Sequence, residues 1–536
     1  MKRLFTSSIF LIIVVMIMCS CASPSAPTDE ETTPSLTVSP EDQETKPVYG
    51  GTLKIVSGFE PVMLGYPPFM GPEDSMRIVP GVEKLMDLAA NRNEGNGLEP
   101  VLAERVVEDF ENNRIIFHLR PGVTFHDGSV LNADVVIWNY EQLVSSGCLQ
   151  FIDYWKGIKK NDDMTVQIDY TGYSNQLIQS WGTIFIYSKE AWEKASGGDT
   201  EAGINWARTH CVGTGPFILE EFKRNIHMNW IRNPDYWQQG KPYLDGIEIR
   251  FVPENTTARA LMLAGEADYW EFYYSLELEE HGFNVWSSWA GLILSIWPNT
   301  ADPDSKWNDI RLRQAIEYAI DKKAITDAFG PDTFKPVKMI APPGEWGYDP
   351  AYPAREFDPE KARQLVIDAG YPDGLDAELL LGTAYGGEDL ADFIQQYLDD
   401  VGIRIEVDLA DPGRFFGTIY GQNPGPDLVI TFSGIDINYL VTYMRWFSTT
   451  PLINVSYLGH TEEQRTLDEE AACIQDLAAQ KAMTEKIIKY LTDNVMVIPL
   501  MWFGMRQIVA PYVHGPNPVN VSWHTEEVWM EEHIEH

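Results

Sequence analysis

Apolar residues recur along this chain with two different spacings. Phe217 and Leu219, and then Ile226, Met228 and Trp230, alternate with polar residues, the period of paired strands with one buried face. Gly213, Gly215 and Pro216 supply a tight turn ahead of them, Asn233-Pro234-Asp235 a turn behind them, and Tyr236-Trp237 an apolar plug. The same reading predicts strands over residues 52–56, after Tyr49-Gly50-Gly51, over residues 114–119, and over residues 165–168, after the turn Asn161-Asp162-Asp163. Pro121-Gly122 and Asp127-Gly128 read as hairpin turns, and Asn132 as the N-cap of a helix through Val135, Val136, Trp138 and Asn139.

Beyond Ile249 the spacing becomes helical and then alternates between helix and strand. Residues 254–265 form one predicted helix, ended by Gly265. Asn308-Asp309 cap another, with Leu312, Ala315, Ile316 and Ala319 as its apolar stripe. Asp358 ahead of Pro359 is an N-cap followed by proline at the first helical position, and Gly370 closes that helix. Residues 388–400 repeat the theme up to Gly402, followed by strands at 403–407 and 427–432, a long helix over about 466–493 and an apolar run at 495–500. This alternation predicts a mostly parallel sheet with both faces covered.

At 536 residues the chain exceeds what a single hydrophobic core holds, so two or more lobes are expected. With 40 Lys and Arg against 79 Asp and Glu, its formal charge of −39 would repel a phosphate backbone, which excludes nucleic acid as a partner. The same acidity suits cationic ligands, or simply a solvated surface.

Lys2-Arg3, an apolar run over residues 9–18 too short to span a membrane, and Met18-Cys19-Ser20-Cys21 make a targeting segment. Residues 22–47 are rich in Ser, Thr, Pro and Glu and nearly free of apolar side chains, so they read as a disordered tether that spans roughly 25–30 Å on average. Past Cys19 and Cys21 only Cys148, Cys211 and Cys473 remain, too few for a disulfide framework, although one bridge such as Cys148–Cys211 stays open.

The block at residues 212–251 closely resembles the segment that marks extracytoplasmic solute-binding proteins of ABC importers, in the oligopeptide, dipeptide and nickel-binding group called family 5. Residues 98–143 resemble a second block of that family, and matches recur in order from Gly51 to about Leu500. Residues 18–21 are similar to a bacterial lipoprotein signal, with Cys21 the lipidated first residue of the mature chain. Met18 stands where Leu is usual, and ordinary signal cleavage nearby is the alternative. The resemblance implies an α/β, two-lobed periplasmic-binding-protein-like fold with a subdomain inserted in the first lobe. Its expected parts are a signal peptide at 1–21, a tether at 22–47, a first lobe from 48–88, 212–299 and 501–536, an insertion at 89–211, and a second lobe at 300–500.

Open α/β sheets bind ligands at the carboxyl ends of their strands. The predicted strand at 427–432 runs into Ser433-Gly434-Ile435-Asp436-Ile437-Asn438-Tyr439. In peptide-binding relatives this place carries an Asp that pairs with the peptide ammonium, so the resemblance makes Asp436 the candidate anchor, with Tyr439 beside it. The Trp and the Tyr-Pro-Asp run of those relatives are missing, and an Asp here can also cap a loop. Of 17 Trp, Trp289, Trp297, Trp446 and Trp502 are candidates to stack on a ligand, with core packing as their other role. His126-Asp127-Gly128 reads as a turn, and Gly213-Thr214-Gly215 lacks the Gly-Lys-Ser/Thr of a phosphate loop. His524, His533 and His536 lie in an acidic tail that could collect metal weakly or stay solvated.

No hydrolase elbow, zinc-protease helix or cysteine–histidine motif is present, and no cofactor or metal is called for. The expected protein is a monomeric, non-enzymatic receptor, lipid-anchored outside the cytoplasmic membrane in a periplasm or at a cell surface. It would capture a peptide or other small solute and deliver it to an ABC permease. An oligosaccharide is the second ligand, a nickel or metal chelate the third, and a secreted hydrolase the reading from another class.

Overall fold

The computed structural model describes residues 46–70, 72–89, 97–271, 276–330, 334–382, 387–419, 425–434, 436–449, 457–518 and 522–531. Two long strands organise it. Asn284–Pro298 and Ile498–Val509 run antiparallel, first pairing Asn284–Ser287 with Arg506–Val509, then, past a register shift, Gly291–Leu294 with Met501–Gly504 and, past a second shift, Ser295 and Ile296 with Pro499 and Ile498. At one end Ile508 and Val509 also pair with Trp270 and Tyr269, and through them the sheet continues to Thr52–Ser57, Gly246–Phe251, His227–Arg232 and Phe217–Lys223. At the other end Leu292–Pro298 pair with Leu428–Gly434, and the sheet continues to Leu375–Gly382 and Ile403–Ala410. One sheet therefore runs through both lobes.

The first register break falls where Gly291 faces Gly504. A Cβ on Gly291 would come within 2.5 Å of both the Phe503 carbonyl oxygen and the Trp502 indole nitrogen, so only glycine fits the close approach there. The apolar run from Leu292 to Trp297 belongs to a strand buried on both faces. Ile293 and Trp297 enter one core with Tyr439, Tyr443 and Phe447, whereas Leu294 and Ile296 enter another with Leu312, Ile316 and Leu428.

The sheet is mixed, not mostly parallel as the helix–strand alternation predicts. Thr52–Ser57 and Leu375–Gly382 each have parallel partners, but both crossing strands pair antiparallel with all their neighbours. Local cap chemistry is read correctly: Asn132, Asp309 and Asp358 each accept a backbone N–H at their helix starts. The single helix expected over 466–493 is two, Glu462–Ala472 and Leu477–Asp493, because Asp476 caps a new start. Cys148, Cys211 and Cys473 are all free, so the open possibility of a Cys148–Cys211 bridge is not realised.

A separate antiparallel sheet of Ala103–Asp109, Arg114–Leu119, Thr165–Tyr170 and Trp155–Asp162, with the helix Ala133–Ser145 against it, forms the inserted subdomain. Its core also takes in Ile437 and Val441 of the second lobe, both buried. Burial of side chains this size is worth about 1.5–3 kcal/mol each, so the two bodies adhere in this conformation. Asn175 adds polar contacts: its backbone N–H donates to the Ala472 carbonyl and its amide to the Ala471 carbonyl, both at 3.1 Å, at the C-terminal end of Glu462–Ala472.

The conspicuous block at 212–251 is a corner of the first lobe. Gly213 and Gly215 lie against Gly81 and Val82 so closely that a Cβ on Gly213 would come 2.2 Å from the Gly81 oxygen. Close backbone approach, with no left-handed turn, is what those glycines provide. Thr214, Tyr236 and Trp237 all donate to the Glu83 carboxylate. Burial pushes that carboxyl from 4.5 up to about 7 despite the three donors. Because its folded pKa lies above the unfolded one, the native state loses stability as pH rises from about 4.5 to 7. Glu83→Gln keeps an acceptor and removes the titration, so its melting temperature should fall less steeply between pH 5 and 7 than that of the wild type. A slope identical to wild type in circular-dichroism melts would contradict this.

Candidate functional site

Asp436 follows the strand Leu428–Gly434 and precedes the helix Tyr439–Trp446. Asn438 caps that helix by accepting the Val441 N–H at 3.0 Å, and the Asp436 N–H donates to the Thr442 hydroxyl at 2.8 Å. Side chains on a helix tilt toward its N-terminus, and Arg445 lies one turn beyond Thr442, so its guanidinium reaches back to the same place. Arg445 Nε stands 3.0 Å from Asp436 Oδ1, an ion pair without the alignment of a hydrogen bond.

From across the cleft, Gln179 Nε2 of the inserted subdomain donates to the same Oδ1 at 3.0 Å. Asp436 is 6% exposed and Gln179 8%, yet Asp436 Oδ2 and Gln179 Oε1 have no partner. Leaving a buried acceptor unpaired costs about 1–3 kcal/mol, more for a charged group, so two side by side mark a place where donors are wanted. Both residues, with Arg445, Lys84, Met70 and Phe185, line a cavity of about 320 Å³ between the subdomain and the two lobes. Lys84 carries its own counterion, Asp87, at 2.7 Å.

The aromatic candidates stand elsewhere. Trp297 is fully buried, its ring 5.1 Å from that of Phe447, and Trp446 packs 6.0 Å from Phe432. Trp502 lies over Gly291. The indole N–H of all three lacks a partner. None of the three lines the 320 Å³ cavity; they belong to the second-lobe core beneath the strand ends. Tyr439 is fully buried too, its hydroxyl donating to the Ile340 carbonyl. Cys21 and the side chain of Trp289 lie outside the described residues, as do His533 and His536.

His126 Nε2 lies 3.0 Å from the Gly215 carbonyl, and Asp127 accepts from Ser129 and Ser188, so this trio is turn structure. His524 bridges Glu99 at 3.1 Å and Glu526 at 3.2 Å beside a second cavity of about 430 Å³. Burial opposes its charge, but the hydrogen bonds it donates to these two carboxylates outweigh that and hold the imidazole up at about 11. Its charge is thus spent within the protein. Among the described residues no group of three or more His, Cys, Asp or Glu is placed to hold a metal.

Sequence reasoning missed Gln179 and Arg445. Arg445 had a signal, its helical spacing from Thr442 on the segment that Asn438 caps. Gln179 lies 257 residues from Asp436 and had none.

Heme-binding protein A of Haemophilus influenzae is 30% identical over 317 residues, 52% of this chain and 55% of that protein. A glutathione-binding protein of Shigella boydii is 28% identical over 61% of this chain and 64% of its own length. In both cases the match spans less than two thirds of the relative. In structure, an ABC transporter-associated periplasmic binding protein of Helicobacter pylori, solved with the peptide STSA, superposes with a TM-score of 0.75 over 90% of this chain and 99% of its own, at 20% identity. Residues 97–451, well over half of the sequence, match the model described as bacterial extracellular solute-binding proteins, family 5 Middle, and the chain belongs to that family.

Proposed function

We propose that this protein is the ligand-binding component of an ABC importer and that it captures a short peptide by its free ammonium group. The observation that carries the reading is the pair of buried, unpaired acceptors, Asp436 Oδ2 and Gln179 Oε1, on opposite walls of one cleft. An ammonium has three donors and can satisfy both at once, which ties ligand binding to closure of the lobes. The transporter association and bound peptide named for the Helicobacter pylori protein support the same role. In this reading the first lobe comprises 48–88, 212–299 and 501–536, the insertion 89–211 and the second lobe 300–500. The lobes hinge at the register break between Ser287 and Gly291.

An oligosaccharide is the second reading. The neighbourhood of Asp436 favours it, since the Trp and the Tyr-Pro-Asp run of peptide-binding relatives are missing there.

Thermal-shift and calorimetric titration with peptides of two to five residues test the lead. Peptides with a free amine should raise the melting temperature, and their N-acetylated forms should not. Removing one partner of a buried charged contact costs about 2–5 kcal/mol, so Asp436→Ala should weaken peptide binding by about 30-fold or more. Stabilisation by oligosaccharides alone would overturn the peptide reading.

The proposal extends to location: two acyl chains on Cys21 would hold the receptor at the outer face of the cytoplasmic membrane, where a single chain is marginal. Cys21→Ser should move the protein from the membrane fraction to the soluble extracytoplasmic fraction. Retention of that variant in the membrane would count against the anchor.

A further inference from the structure

We infer that Arg445 makes this cleft selective for ligands that carry a carboxylate on the same carbon as the ammonium. Free amino acids and γ-linked peptides have such an end, whereas an ordinary peptide has an amide at that carbon. The inference rests on the proposed reception of an ammonium by Asp436 and Gln179.

Charge is the first argument. In this cleft Asp436 is already neutralised by Arg445, and Lys84 is neutralised by Asp87. A lone ammonium added beside Asp436 would leave one uncompensated cation in a site where Asp436 is 94% buried, and burying an unpaired charge is costly. A ligand end that brings both signs leaves the balance at zero.

Geometry is the second. Arg445 Nε stands 3.0 Å from Asp436 Oδ1 without the alignment of a hydrogen bond, and Arg445 lines the cavity beside it. A guanidinium is a planar fork whose best partner is a carboxylate held by two parallel N–H bonds. The fork and the unpaired acceptors share one anchor, Oδ1, with Arg445 Nε and Gln179 Nε2 each 3.0 Å from it. The cationic and anionic groups of the ligand must therefore lie side by side. An α-peptide puts its terminal carboxylate at least one further residue away, roughly 3.5 Å for each residue of extended chain.

Size agrees. A cavity of about 320 Å³ is at the small end of the range for ligand sites, roughly 300–1,000 Å³.

The test uses γ-glutamylglycine and its α-carboxamide, which differ only in the carboxylate next to the ammonium. Isothermal titration of the mature protein should give a Kd at least tenfold lower for the carboxylate form. Arg445→Met should reduce that ratio to about one. Arg445→Lys retains a positive charge without the fork and should keep only part of the preference, which guards against a Met variant that simply misfolds. Equal affinities in the wild type, an unchanged ratio in a folded Arg445→Met, or no binding of either compound would overturn the inference. The ammonium reading is judged separately by Asp436→Asn and by N-acetylation. If both leave binding intact, that reading falls and takes this inference with it; if both abolish binding while the carboxylate makes no difference, only the inference falls.

Discussion

The strands Asn284–Pro298 and Ile498–Val509 pair with each other along most of their length but have different outer neighbours at their two ends, and that shared allegiance constrains everything else. Neither lobe can complete its sheet without chain that also belongs to the other. The ladder between them is interrupted twice, between Ser287 and Gly291 and between Leu294 and Ser295, and the hinge proposed above lies at the first. Gly291 lets the strands approach there, with the Trp502 indole packed where a Cβ would stand.

What faces the cleft follows from the same frame. The strand Leu428–Gly434 ends beside the crossing pair, and the chain beyond it delivers Asp436 and then a capped helix. The face of that helix which supplies Thr442 and Arg445 completes the charge environment of Asp436. Its first turn places Val441 in the subdomain core, with Ile437 just ahead of it. The polar groups of the candidate site and the apolar contact with the subdomain are therefore built from one stretch of about ten residues, which accounts for how little of that site is spread along the sequence on the second-lobe side.

Much of the fold was legible wherever the physics is local. Asn132, Asp309 and Asp358 announce helix starts because a short polar side chain competes for the same N–H groups in any context. The sheet direction was not legible, because antiparallel return of a crossing strand depends on which lobe it serves, and no window of sequence contains that. Asp436 could be singled out through the family resemblance of the segment after its strand, but its partner Gln179 is set by the packing of a distant subdomain. The tryptophans illustrate the opposite case: their number promised a lined cleft, and packing placed Trp297 and Trp446 in the core under it.

The contact made by Asn175 has a consequence for how the two bodies can part. Its two bonds to the last carbonyls of the helix Glu462–Ala472 join the subdomain to the second lobe through backbone groups at a helix end. Separating the bodies breaks both bonds and bares Ile437 and Val441 to water in the same movement, so the seam resists peeling from either edge.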